Sequence, residues 1–158
     1  MLMKKPMIAG FAASLLAIGA VWISPAWTAD DARSNLPYTD PFRVAEGATL
    51  YAEYCACCHG ANLEGQQPNW QDRDADGYLP APPHDETGHT WHHDDALLMR
   101  IVREGTEAIV GGTYKSNMIG FGNVLTDDQI ASVLGYIKST WPTEIQGIHN
   151  EINARVLP

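Results

Sequence analysis

Cysteine, phenylalanine and positive charge are all scarce in this chain. Three Cys in 158 residues allow at most one intramolecular disulfide, which excludes a disulfide-stapled scaffold. Ten Lys+Arg against 19 Asp+Glu give a formal charge of -9, so the basic stripe that nucleic-acid binding requires is missing. No alternating apolar/polar run and no internal repeat occurs, and with them go a half-buried sheet and a solenoid. What is present is 45% hydrophobic residues with 14 Gly and 10 Pro, the profile of a folded chain with few regular elements and long irregular connections. Its length predicts one domain with an appendage.

The appendage is N-terminal. Lys4 and Lys5 precede an uncharged stretch of 17 residues from Met7 to Ile23, and Ser24-Pro25-Ala26 follows with small residues of the kind a signal peptidase accepts. Residues 1–29 are therefore expected to be either a signal peptide or an N-terminal anchor running through residues 7–23. Cleavage would leave eight Lys+Arg against 19 acids, a charge of -11. Either way the remainder is exported, with a periplasmic location, free or anchored to the inner membrane.

Residues 30–42, with Pro37 and Pro41 among polar residues, are expected to be a surface arm. A first helix is predicted from Arg43 to about Cys58, with Val44, Leu50, Tyr51 and Tyr54 near one stripe and Gly47 on the same side for a close helix approach. Residues 60–90 hold four Gly and four Pro and are expected to be loop. A second helix is capped by His93 or Asp94, carries Leu97, Leu98, Ile101 and Val102, and stops at Gly105. A third opens on the capping box Thr126–Gln129, buries Ile130, Val133, Leu134 and Ile137, and ends at Trp141-Pro142. Residues 143–158 are expected to be a C-terminal tail with at most one more helical turn, and the whole is all-α.

The chemistry is concentrated in Cys55-Ala56-Cys57-Cys58-His59. Cys55 and Cys58 have the spacing at which two thiols, one helical turn apart, add to the vinyl groups of one haem, and His59 follows directly to bind the iron. A thioredoxin-like couple would follow a strand and open a helix, and a zinc site would need a second Cys pair, which is absent. Cys57 is the spare thiol.

A second axial position remains. Outside the leader the methionines are Met99 and Met118. Met99 falls inside the second helix, where packing accounts for it, whereas Met118 lies in the Gly-rich segment 111–122 just before the third helix, a loop able to wrap a cofactor edge. Met118 is the candidate, with His84, His89, His92, His93 and His149 as competitors. A thioether raises the potential and a second imidazole lowers it. Of the four His in segment 80–95, His89, His92 and His93 with Asp94 or Asp95 would suit copper or zinc if they converged. The competing expectation is that His93 and Asp94 cap the second helix, Trp91 packs on the haem side and Pro82-Pro83 stiffens the loop.

Cys55–His59 after Val44–Tyr51, then Asn117–Gly122, Leu125–Ile130 and Tyr136–Trp141, together resemble a bacterial class I cytochrome c over residues 43–142. The resemblance implies an all-α fold in which the first and last helices cross, with Gly47 and Tyr51 meeting Leu134 and Ile137. It implies one covalent haem c held by Cys55 and Cys58, with His59 and Met118 on the iron. It also implies a backbone carbonyl that receives the Nδ1–H of the proximal imidazole, and Pro68 matches that position best. The family often places Pro directly after the ligand Met; Ile119 stands here and is expected to loosen the loop.

Electron transfer demands no acid, base or substrate group, so the expected function is a periplasmic one-electron carrier that is not itself an enzyme. Its partners are expected to be redox proteins with basic docking patches, reached by salt-sensitive association. The alternatives are a membrane-tethered haem subunit of an oxidase or dehydrogenase complex, and an open-site haem enzyme or sensor.

Overall fold

The structure, a computed structural model, describes residues 36–156. The signal or anchor expected over residues 1–29 and the beginning of the arm lie outside the described residues. Six helices follow in order: α1 (Pro41–Tyr54), α2 (Ala56–His59), α3 (Asp95–Glu104), α4 (Thr106–Val110), α5 (Asp127–Thr140) and α6 (Thr143–Val156), with one 3-10 turn at Thr90–His92. Among the described residues the single bridge pairing, Gly105 with Ile119, is the only sheet-like contact, so the fold is all-α. None of the described helices is long and apolar enough to cross a membrane.

Local chemistry sets the helix ends. Asp40 caps α1 through Oδ1, which accepts from the amides of Phe42 (2.9 Å) and Arg43 (3.3 Å), and Pro41 supplies a pre-set helical φ at the first position. The helix thus starts two residues before the apolar periodicity does. Asp94 caps α3 by accepting from Leu97 N at 3.0 Å, and Gly105 stops it at φ 87°. Thr126 and Gln129 form the reciprocal box at the start of α5.

Helices α1 and α5 cross with almost no gap. A Cβ on Gly47 would sit 2.0 Å from the carbonyl oxygen of Ser132 and 2.9 Å from Tyr136 Cβ, so backbone meets backbone there. The nearest neighbours of Gly47 are therefore Ser132 and Tyr136 rather than the expected Leu134 and Ile137, which are buried in the core beside Tyr51, Ile130, Val133 and Trp141. Tyr51 does reach α5, with its ring 5.6 Å from that of Tyr136.

Two expectations are corrected. The arm is not a surface feature where it is described: Leu36 and Tyr38 are buried, and Pro37 packs against Gly135 of α5, where a Cβ would lie 3.2 Å from it. The C-terminal segment is not a tail but the 14-residue helix α6. Ile145 packs against the core cluster, but the buried face of the helix is polar: His149, Asn150 and Asn153. Asn150 accepts from the buried Lys138 Nζ and donates to Tyr38 Oη at 3.1 Å. Asn153 accepts from Asp95 N at 2.8 Å, and His149 meets the carbonyl of His93 at 2.9 Å. Buried polar groups are tolerated because they are paired, and here their pairing is what attaches the helix.

Candidate haem site

The motif Cys55–His59 spans the junction of α1 and α2. The α1 helix closes at Tyr54, Cys55 takes φ -117°, ψ -37°, and a single further turn carries Ala56–His59 before Gly60 breaks it at φ 84°. Amides of Cys58 and His59 both bond the Cys55 carbonyl, at 3.1 and 3.0 Å, so one helical turn separates the two thiols. Cys55 is half-buried, Cys57 and Cys58 exposed, and all three are free. Burial, and then the neighbouring Cys57 and Cys58, push the Cys55 thiol up to about 11. The Cys58 thiol is raised chiefly by its contact with Cys57, whose Sγ lies 3.8 Å away.

His59 is buried. Its Nδ1 lies 2.9 Å from the Pro82 carbonyl oxygen; a carbonyl can only accept, so Nδ1 carries the proton and Nε2 is the ring nitrogen left for a metal. Desolvation lowers the His59 pKa, opposed by the bond to Pro82, so the imidazole is held in its neutral, ligating form. The Tyr51 hydroxyl donates to the carbonyls of His59 (3.3 Å) and Gly60 (3.0 Å), fixing the backbone beneath the ring.

The expectation for Pro68 is corrected by this geometry: the carbonyl that meets His59 belongs to Pro82. The chain turns after the motif at Gly60, Leu63 and Gly65, all with positive φ. Gly65 then packs so closely on Pro83 that a Cβ would lie 2.7 Å from its nitrogen. Gln66 clasps Ala81 through Gln66 N to Ala81 O (2.9 Å) and Ala81 N to Gln66 Oε1 (3.1 Å). That clasp brings residues 81–84 under His59 and leaves Pro68 in a separate cleft with Glu64 and Trp70.

Met118 is half-buried and its segment is not loose, despite Ile119. The Met118 amide bonds Ser116 Oγ at 3.0 Å and its carbonyl accepts from Thr106 N at 3.2 Å. Phe121 N and Gly122 N reach the carbonyls of Val102 and Arg103 at 2.8 and 3.0 Å, and a Cβ on Gly120 would collide with Arg103 and Glu104 backbone at 2.7 Å. The segment is stitched along the end of α3, and Phe121 meets the ring of Tyr54, beside Cys55, edge to face at 6.3 Å. Met99 is half-buried in α3, packed against the core cluster.

Of the competing histidines, His149 is fully buried, with Nε2 on the His93 carbonyl and Nδ1 3.4 Å from Asn153 Nδ2, so neither nitrogen is available. His84 lies flat on His59, ring centroids 4.0 Å apart and planes 23° from parallel, which puts it beside that imidazole rather than across a metal from it. The rings of His89, His92 and His93 do gather, His92 stacked on His89 at 4.9 Å and His93 edge to face with it at 4.8 Å, but no group of three or more side chains placed to hold a metal is found among the described residues. Trp91 stacks on His92 at 3.7 Å and donates to the Glu86 carbonyl. The stack of His84 on His59 and the role of Pro82 went unread in the sequence; the Pro-Pro-His run at 82–84 was their one local sign.

The residues fit a haem c: two thiols one turn apart, then a buried neutral imidazole with one nitrogen oriented and the other open. The cytochrome c family model matches residues 44–141. The chain is 29% identical over 97 residues to the cbb3-type cytochrome c oxidase subunit FixP of Azorhizobium caulinodans, covering 60% of this chain and 28% of that protein. It is 28% identical over 144 residues to a nitrite reductase of Stutzerimonas stutzeri, covering 86% of this chain and 21% of the relative. With FixP of Sinorhizobium medicae it shares 32% over 105 residues, 65% of this chain and 32% of that one. It thus spans a third or less of the length of these relatives, and no solved structure matches it. The chain belongs to the cytochrome c family, as an all-α class I c-type cytochrome whose cofactor is covalently bound haem c.

Proposed function

We propose that this chain is an exported one-electron carrier with a single haem, in which Cys55 and Cys58 form the thioether bonds and His59 and Met118 supply the axial donors. The haem, when bound, supplies a reversible Fe(III)/Fe(II) couple. The protein's part is rigidity. Pro82 orients His59, Tyr51 anchors its backbone, and the bonds from Thr106 and Ser116 hold Met118 in one place, so little has to move when the charge on the iron changes. Most support comes from His59: it is buried, neutral, tied at Nδ1 to Pro82 and preceded by the Cys-x-x-Cys turn. Docking is with redox partners that carry basic patches, since the chain has 19 Asp+Glu against 10 Lys+Arg.

A second reading has its own support. Relatives roughly two and four times as long include an oxidase subunit and a nitrite reductase, so the chain equally suits the place of a haem module in such a complex, held to the membrane through residues 7–23. Intact mass and absorption of the full chain, produced in cells that mature c-type cytochromes, test both. The carrier reading expects a mass increase of one haem that survives acidified organic solvent, and loss of the leader. Extraction of the pigment would refute covalent attachment; a retained leader with co-purifying subunits would favour the complex.

A further inference from the structure

The segment that gives His59 its hydrogen bond gives it a second contact. A single bond from Nδ1 to Pro82 O fixes one edge of the imidazole but lets the ring swing about that bond. The ring of His84, two residues on, lies against the face of His59 at 4.0 Å with planes 23° apart, and a flat neighbour removes the remaining rotation. His84 is itself held from several directions. Its Nδ1 is 2.6 Å from the hydroxyl of the buried Thr90, its amide donates to the Leu63 carbonyl at 2.8 Å, and its carbonyl accepts from Trp141 Nε1 at 2.7 Å. The ring of Tyr51 meets it edge to face, with centroids 6.1 Å apart. Trp141 belongs to the end of α5 and Tyr51 to α1, so the plane of His84 is referenced to the two crossing helices, not to its own loop.

We propose that His84 is a positioning residue for the iron-binding imidazole, its stacked ring setting the plane of His59 and shielding that face from water. This rests on the reading of His59 as an axial donor. The consequence is electronic. The direction of an axial imidazole plane sets how the iron d orbitals split, and the dryness of the surroundings sets how well the oxidised, more highly charged iron is tolerated.

The test uses the full-length holoprotein, as wild type, His84→Ala, His84→Phe and Thr90→Val, read by electron paramagnetic resonance of the oxidised form and by midpoint potential. His84→Ala is expected to shift and broaden the g values and to lower the potential, because water reaching His59 favours Fe(III). His84→Phe keeps a flat apolar face but loses the bond to Thr90; it is expected to restore the potential and to leave the signal broadened. Thr90→Val keeps the imidazole but frees it by removing the same bond, and is likewise expected to broaden the signal with a potential near that of wild type. A lower melting temperature in His84→Ala with wild-type g values and potential overturns the proposal, as does a potential in His84→Phe as low as in His84→Ala. If His84→Ala does not accumulate, the other two decide: a wild-type potential in His84→Phe with a broadened signal in Thr90→Val supports it, and a wild-type signal in Thr90→Val overturns it. Wild-type protein that carries no haem overturns the reading of His59 itself, separately from the stack.

Discussion

The α-carbon of Gly47 rests on the carbonyl of Ser132, so closely that a methyl group there would stand 2.0 Å from the oxygen. That contact lets α1 and α5 cross, and it positions Tyr51, one turn further along α1, to hold the backbone of His59. The obstacle is backbone, which cannot rotate away. Gly47→Ala is therefore expected to cost about 1–3 kcal/mol or more by overpacking, lowering the melting temperature by roughly 5–15 °C. Gly147 in α6 offers the opposite case, since nothing lies within 4 Å of a Cβ there. Gly147→Ala is expected to stabilise by about 0.5–1 kcal/mol through helix propensity alone. Thermal denaturation of both variants checks the pair, and equal effects of one sign would contradict the close crossing.

If Met118 is the sixth ligand, Met118→Ala opens a coordination position without unravelling its segment, whose anchors are backbone bonds to Thr106 and to α3. The oxidised variant is expected to lose the near-infrared sulfur-to-iron charge-transfer band and the reduced form to bind carbon monoxide. Met118→His is expected to restore six-coordination at a lower potential. Met99→Leu is expected to keep the band, because Met99 packs against the core of α3. A band that persists in Met118→Ala would assign the thioether elsewhere.

Stability is expected to fall on acidification through the docking of α6. Burial lowers the pKa of His149, as does Lys138, with Asp95 and the His93 carbonyl opposing. The folded protein therefore keeps this imidazole neutral at a pH where the unfolded chain already takes up a proton, from about 6.5 downward. Stability from this site is complete above that pH and declines below it, by at most about 1.4 kcal/mol per pH unit for one proton. His149→Gln should melt lower than wild type near neutrality, from lost packing, yet show a shallower fall in melting temperature toward about pH 5. Parallel profiles would remove His149 from the acid response.

The parts of this molecule that were legible in its sequence are those fixed by neighbours in the chain. Asp94 with Gly105 bounds α3 and Thr126 with Gln129 opens α5, because caps act over three or four residues. The spacing of Cys55, Cys58 and His59 is local in the same way. The α6 helix escaped because its buried face is His149, Asn150 and Asn153, which carry no apolar period; its partners, Tyr38, Asp95 and Lys138, come from three distant segments. Pro82 escaped for a related reason. Counting along the loop favours Pro68, but the carbonyl that meets His59 is delivered by a reversal fixed by three positive-φ residues and the Gln66–Ala81 clasp. The stack of His84 follows from that same reversal.

Charge is distributed so that docking should be governed by acids. Among the described cations, Arg43, Arg100, Arg103 and Arg155 are each within 4 Å of a carboxylate: Glu46 and Asp128, Glu104, Asp127, and Glu151. Lys138 is buried against Tyr38. Arg73 and Lys115 lie over the rings of Tyr114 and Tyr78. With 19 acids in the chain, most of the surface field is negative and is screened over about 10 Å at 0.1 M salt. Electron transfer to a strongly basic redox protein is expected to slow by at least about tenfold between roughly 10 and 300 mM salt, and transfer to an acidic one to quicken. Stopped-flow mixing of the reduced protein with each acceptor measures the two slopes. Slopes of one sign, or none, would mean that partners meet this chain through an uncharged face, and the exposed Ile119, next to Met118 in the chain, would then be the place to look for it.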